Sequence, residues 1–173
     1  GAGSLRQAMI DANAAVGGAH VITISATGTI NLLSALPQIV NISVSINGPG
    51  AASLTLNRSS GGNYAFFETP LVLYTQAFGF SGMRLQNGAG GSGAIATTGG
   101  TTTINQCVIA NNFGSFAGGG VGLLSTNATI TNTTFSGNST PLQGSAINAQ
   151  GSTLTISNST FSGNQITGTN GNA

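Results

Sequence analysis

The 173 residues are enough for one domain with a buried core, and with 39% hydrophobic residues at a formal net charge of +1 they lack the balance of a disordered chain. Charged side chains make up only 3% of the sequence, against roughly 25% in an ordinary domain. They are Arg6, Arg58, Arg84, Asp11 and Glu68, with no lysine; three scattered arginines cannot follow a phosphate backbone, so nucleic acid is not an expected partner, and no apolar run approaches the roughly 18 residues that suggest a membrane span.

The first element reads as a helix. Ser4-Leu5-Arg6-Gln7 fits a capping box, with Ser4 as N-cap and Gln7 reaching back. Leu5, Ala8, Met9 and Ala12 recur at helical spacing, and Gly17-Gly18 supplies a stop. Residues 1–18 are therefore expected to form a short cap, with Arg6 and Asp11 on its solvated surface and His20 in the loop beyond it. Strands follow. Val21, Ile22 and Ile24 mark one, Ile42, Val44 and Ile46 another, and Leu54 and Leu56 a third after Gly48-Pro49-Gly50. Residues 19–88 form less regular coils, and Glu68 falls in an irregular stretch at 66–70.

From 89 to 173 the chain repeats itself. Thr-Ile-Asn-Gln-Cys-Val-Ile-Ala-Asn-Asn (103–112), Thr-Ile-Thr-Asn-Thr-Thr-Phe-Ser-Gly-Asn (129–138) and Thr-Ile-Ser-Asn-Ser-Thr-Phe-Ser-Gly-Asn (155–164) align without a gap at an offset of 26 residues. The alignment makes three ladders: Ile104, Ile130 and Ile156; Ile109, Phe135 and Phe161; Asn112, Asn138 and Asn164. Ile95, Val121 and Ile147 keep the same step, and Phe78 and Met83 extend it one repeat upstream. β-Branched residues, Gly and Asn crowd each unit where helix formers would have to stand, and Leu154 and Ile156 alternate with Thr153, Thr155 and Ser157 as in a strand with one buried face. The fold expected is all-β: a right-handed parallel β-helix of about six coils, one domain over 1–173, on the order of 30 Å long, with a capping helix at its N-terminal end. The tail at 165–173 is polar and Gly-rich and leaves the last coil open.

The chemistry-bearing residues are few. Glycoside hydrolysis needs two carboxylates some 5–10 Å apart, and Asp11 and Glu68 fall in different elements. Calcium-dependent lyase chemistry needs a carboxylate cluster and a base, whereas residues 89–173 carry no charge. Cys107 aligns with Thr133 and Ser159 and reads as a core filler. Gly90-Gly91-Ser92-Gly93 and Gly118-Gly119-Gly120 lack the Lys-Ser/Thr of a phosphate loop and read as coil turns. No catalytic, cofactor-binding or metal-ligating set is expected. One surface does organise itself: Thr101, Thr103, Thr129, Thr131, Thr153 and Thr155 are expected to project outward from stacked strands, with Asn105 and Asn127 interrupting the files.

The stretch Gly-Ser-Leu-Arg-Gln-Ala-Met-Ile-Asp-Ala-Asn (3–13) resembles the CSLREAI-type opening of secreted bacterial β-helix proteins, with Gly3 where that pattern has cysteine. Gly93-Ala94-Ile95, Ser145-Ala146-Ile147, Phe135-Ser136-Gly137-Asn138 and Phe161-Ser162-Gly163-Asn164 are similar to the GGAI and FxxN repeats of polymorphic outer-membrane proteins and autotransporter passengers, on the pectin-lyase-like fold. The resemblance implies export, with any secretion signal already removed, and a place outside the cell or on its surface. The function expected is a non-enzymatic structural or adhesive solenoid that associates head-to-tail through its coil ends into a fibre, or forms part of a cell-surface adhesin. Its partners are then further copies of the chain, or a surface, glycan or ice in contact with it, with no cofactor and no membrane insertion. Ice binding through the Thr array is the alternative, and a polysaccharide-active enzyme a third.

Overall fold

Alternating apolar and neutral polar residues make strands with one face to bury, and a wound sheet buries that face against the coils on either side. The computed structural model describes residues 3–15, 17–40, 42–59, 61–72 and 74–168. Gly1, Ala2 and residues 169–173 of the cap and tail read from the sequence lie outside the described residues. The chain forms a parallel β-solenoid of three sheets, with strands numbered in chain order. The first sheet stacks β1 (Ala19–Thr23), β3 (Ser43–Asn47), β6 (Tyr74–Ser81), the second half of β8 (Ile95–Asn105), β11 (Asn127–Thr131) and β15 (Thr153–Ser157). The second sheet stacks β2 (Gly28–Leu32), β4 (Leu54–Arg58), β7 (Arg84–Gln86), β9 (Val108–Ala110), β12 (Thr134–Ser136) and β16 (Thr160–Ser162), one strand for each of six coils. The third is shorter, built from β5 (Phe67–Glu68), the first half of β8, β10 (Val121–Leu124) and β14 (Ile147–Gln150). A small pair, β13 (Ser139–Thr140) with β17 (Gln165–Ile166), closes the last described turn.

Ile104, Ile130 and Ile156 stand opposite one another in the first sheet, and Ile109, Phe135 and Phe161 in the second. The Phe135 and Phe161 rings stack at 4.9 Å and 2°. Ile104, Ile109, Ile130 and Phe135 are wholly buried, whereas Ile156 and Phe161 on the last described coil remain 41% and 44% exposed. Each fully buried side chain of this size stabilises the fold by about 1.5–3 kcal/mol, so the core is continuous along the axis and strongest in the middle coils.

From Gln106 onward three corners follow one rule, whereas upstream the apolar Met83 follows Gly82 and Gly100 follows Gly99. A residue with positive φ turns the chain, and the next residue points a polar side chain inward to satisfy the backbone the turn has freed. Gln106, Asn132 and Asn158 hold φ of 53°, 51° and 49°, and Cys107, Thr133 and Ser159 follow them. Thr133 Oγ1 donates to Thr131 O at 2.8 Å and accepts from Cys107 N at 3.4 Å; Ser159 repeats this with Ser157 O and Thr133 N. Ser125 and Gly151 turn the corner before Thr126 and Ser152 in the same way. At the third corner Asn111, Gly137 and Gly163 precede the asparagine ladder.

Upstream the spacing differs from the sequence-based reading. Phe80, not Phe78, stands opposite Ile104, and Leu85, not Met83, opposite Ile109. Ile95 still pairs with Val121, 26 residues on, while Leu85 pairs with Ile109, 24 on, so the loop between the second and third sheets is two residues shorter in the earlier coil. Phe78 therefore aligns with Thr102, and Met83, fully buried, takes the place of Cys107. Register is decided by which side chains reach the core, so Phe80 and Leu85 take the buried positions whatever the length of the loops between them and the next coil.

Helix α1 (Leu5–Ala14) lies over the first coil and buries Met9 and Ala12 against Ile22, Ile39, Ile42 and Val44. Only half of the expected capping box forms. Ser4 Oγ accepts from Gln7 N at 3.2 Å, but the Gln7 amide turns along the helix to Asp11 Oδ1 at 2.8 Å, where an ionised acceptor is available. Arg6 is not a free surface residue: its guanidinium clasps the Ser34 carbonyl and hydroxyl, at 3.0 and 2.9 Å, and the Ala35 carbonyl. Asn13 ties the other end, donating to Gln38 O and accepting from Val40 N. His20 lies in strand β1 rather than in a loop, on the inward-pointing register with Ile22, and its Nε2 is buried with no hydrogen-bond partner among the described residues.

Candidate functional site

Two surfaces of the solenoid are built from residues far apart in sequence. The first is the outer face of the first sheet. Thr103, Thr129 and Thr155 stand in register and exposed, flanked by Thr101, Asn127 and Thr153 on one side and by Asn105, Thr131 and Ser157 on the other. The files continue upstream through Gly79, Ser45 and Val21, through Ala77, Ser43 and Ala19, and through Ser81, Asn47 and Thr23. Every one of these outward positions is small and uncharged. Of the six threonines singled out from the sequence, Thr131 alone is half-buried: its hydroxyl donates to Asn105 Oδ1 at 2.9 Å, in a file that also links Ser81 to Asn47 at 2.7 Å. On the downstream strands Thr and Ser hydroxyls thus stand about 4.8 Å apart across strands and ~7 Å apart along them, interrupted by Asn105 and Asn127, while Gly79, Ala77, Val21 and Ala19 bring none upstream.

The second surface is a groove over the third sheet, which the sequence did not reveal. Its floor is one file of side chains, Glu68, Ala96, Gly122 and Asn148, in strand-to-strand register. A cavity of about 440 Å3 lies over it, lined also by Leu71 and Phe116, both strongly exposed, and by Gln150, two residues beyond Asn148. Glu68, read as part of an irregular stretch, belongs to strand β5 and is half-buried. Ser92 reaches over the floor at Gly122, where a Cβ would collide with its hydroxyl. A larger cleft of about 830 Å3, between α1 and the first coil, is lined by aliphatic side chains such as Leu5, Ile24, Ile30 and Leu32 and by polar and charged ones such as Arg6, Gln7 and Asp11, and it marks incomplete cover of the first coil.

Asp11 lies in α1 and Glu68 in β5, and the structure brings no second carboxylate to either surface among the described residues. No three His, Cys, Asp or Glu side chains among the described residues lie together as a metal site, and none of the described helices is long and apolar enough to cross a membrane. Cys107 is buried, and burial pushes its thiol up to about 11; Sγ–H donates to the Asn105 carbonyl at 3.4 Å. It is a protonated core group that takes the corner role of Thr133 and Ser159.

The asparagine ladder belongs to the interior. Asn138 Oδ1 accepts from Asn112 N at 3.1 Å and from Asn112 Nδ2 at 2.9 Å, while Asn138 Nδ2 donates to Ile109 O and Asn164 Oδ1, both at 2.9 Å. Asn112 Oδ1 accepts in turn from Gly88 N at 2.8 Å. It satisfies a buried corner rather than a ligand.

Residues 69–172, more than half of the chain, match the family model described as a right handed beta helix region. No curated protein and no solved structure matches the chain.

Proposed function

We propose, starting from the fact that this chain belongs to the right-handed beta helix family, that it is a non-enzymatic extracellular solenoid, a structural or adhesive module that works by surface contact. The observation that supports this reading best is the outer face of the first sheet: six strands, three files in register, and no charged side chain. A flat face of that kind sheds little hydration and meets no electrostatic repulsion from a second copy or a neutral matrix. The similarity of the 3–13 opening and of the FxxN repeats to polymorphic outer-membrane proteins and autotransporter passengers supports display outside the cell. Sedimentation velocity and electron microscopy across a concentration series test the reading. Wild-type protein is expected to associate, and Thr103→Lys/Thr129→Lys, which sets like charges on neighbouring rungs, to remain monomeric. Monodisperse wild-type particles at high concentration, with no retention on neutral surfaces, refute it.

The exposed, in-register file of Thr103, Thr129 and Thr155 favours one second reading, ice binding. It predicts thermal hysteresis that is abolished by Thr129→Tyr; ice growth unaffected by the wild-type protein ends it.

A further inference from the structure

The groove over the third sheet carries a second inference, independent of the face discussed above because it uses a different sheet. We propose that it binds a polysaccharide bearing free amino groups, with Glu68 pairing with an ammonium and Phe116 lying against a sugar ring. Glu68 is the only charged side chain lining the groove, it is half-buried, and its carboxylate makes no hydrogen bond or ion pair among the described residues, although its backbone carbonyl accepts from Ile39 N at 2.8 Å. A carboxylate partly withdrawn from water between apolar walls is compensated by a cation in the occupant. An acidic glycan would be repelled, a neutral one would leave the charge uncompensated, and a metal ion would lack the further carboxylates it needs.

The rest of the groove suits sugar rather than peptide. Its floor is the face of a sheet whose strands are already paired with one another, so an extended peptide gains no backbone ladder there. Along the floor Ala96 contributes only a methyl group and the Ser92 hydroxyl covers Gly122, and Glu68 and Asn148 stand ~14 Å apart at its ends, three strand spacings. At the far end the amides of Asn148 and Gln150 offer both donors and acceptors to hydroxyl groups. Phe116 and Leu71, 74% and 86% exposed, supply an aromatic and an aliphatic wall for the apolar faces of the rings. The cavity, about 440 Å3, lies within the range of about 300–1,000 Å3 typical of ligand clefts.

Isothermal titration of the full chain with glucosamine hexamer, with its fully N-acetylated counterpart and with cellohexaose separates the possibilities. The amino oligomer is expected to bind, more weakly as salt rises, and the other two to bind at least tenfold less well. Glu68→Gln keeps the shape of the side chain and is expected to lower the affinity for the amino oligomer roughly tenfold, with an unchanged circular dichroism spectrum; Phe116→Ala weakens all binding. Equal affinity for the acetylated or neutral oligomer, or unchanged binding by Glu68→Gln, overturns the proposal, as does tighter binding of an oligolysine of matched charge.

Discussion

Replacing Asn138 by alanine removes the middle rung of the asparagine ladder, and the structure allows its cost to be worked out. Asn138 is wholly buried. Without its side chain, Asn112 N and one Asn112 Nδ2 hydrogen lose the acceptor at 3.1 and 2.9 Å, and the Ile109 carbonyl loses a donor at 2.9 Å. A buried polar group left unpaired costs about 1–3 kcal/mol. Three such groups, partly rescued by water entering the vacated space, bring the expected loss to about 3–5 kcal/mol, a large share of the roughly 5–15 kcal/mol that holds a domain together. Asn164 has the same bonding pattern, donating to Phe135 O at 3.0 Å, but it is only half-buried, so water replaces its bonds and Asn164→Ala is expected to cost about 1 kcal/mol. Urea unfolding at 25 °C followed by circular dichroism measures both, with the slope compared between variants because solenoids can unfold in segments. If the two variants prove equally stable, or Asn138→Ala lies within about 1 kcal/mol of wild type, the ladder is not the corner support described here.

Two further predictions concern the interior. The thiol of Cys107 is held protonated in the folded chain, its ordinary value of 9.0 raised to about 11; the folded state binds this proton more tightly than the unfolded one, so the contribution is complete below pH 9 and is lost as pH rises towards 11, about 2–3 kcal/mol in all. Cys107→Ser, which keeps a donor for the Asn105 carbonyl, is expected to flatten that part of the stability profile, and an unaltered slope refutes the assignment. Gly119→Ala would drive a Cβ into the Ser145 carbonyl and to within 2.6 Å of the Ser139 carbonyl, whereas at Gly91 a Cβ meets only the Phe116 ring at 3.5 Å. Gly119→Ala is therefore expected to cost more than about 2 kcal/mol in the same urea titration and Gly91→Ala close to nothing; equal costs would show that the coils do not approach as closely as described.

The same close approach explains part of what could be read in advance. The Gly-Ala-Ile repeat was visible as a motif, but its glycine has a tertiary cause: a Cβ at Gly93 would strike the Gly119 carbonyl of the next coil, as one at Gly119 strikes that of Ser145. Likewise the Asn and Ser/Thr residues of each repeat were legible as turns and fillers, and the structure divides them into residues that take positive φ, such as Asn132 and Asn158, and residues that bond the freed backbone, such as Thr133 and Ser159. Strand alternation alone predicts outward threonines; Thr101, Thr103, Thr129, Thr153 and Thr155 are exposed, and Thr131 is half-buried against Asn105. His20 and Arg6 did not follow, because a lone side chain beside a glycine pair or on a short helix has no period to place it.

What the amino-acid order determined by itself is the winding over 95–166. In-register parallel strands require like residues at a constant interval, so a gap-free spacing of 26 is the geometry of the coil written along the chain. Only the tertiary structure decided the upstream coils, where the interval of 26 survives between Ile30 and Leu56 but other partners lie 24, 28, 29 or 34 residues apart, as between Ile22 and Ile46, Phe67 and Ile95, Leu56 and Leu85, and Val44 and Phe78. Loops of changing length erase the interval while leaving the core contacts intact. For that reason the groove was hidden: Glu68, Leu71, Phe116 and Asn148 share no spacing and no motif, and they meet because successive coils bring the third sheet and the loops beside it to one side of the solenoid.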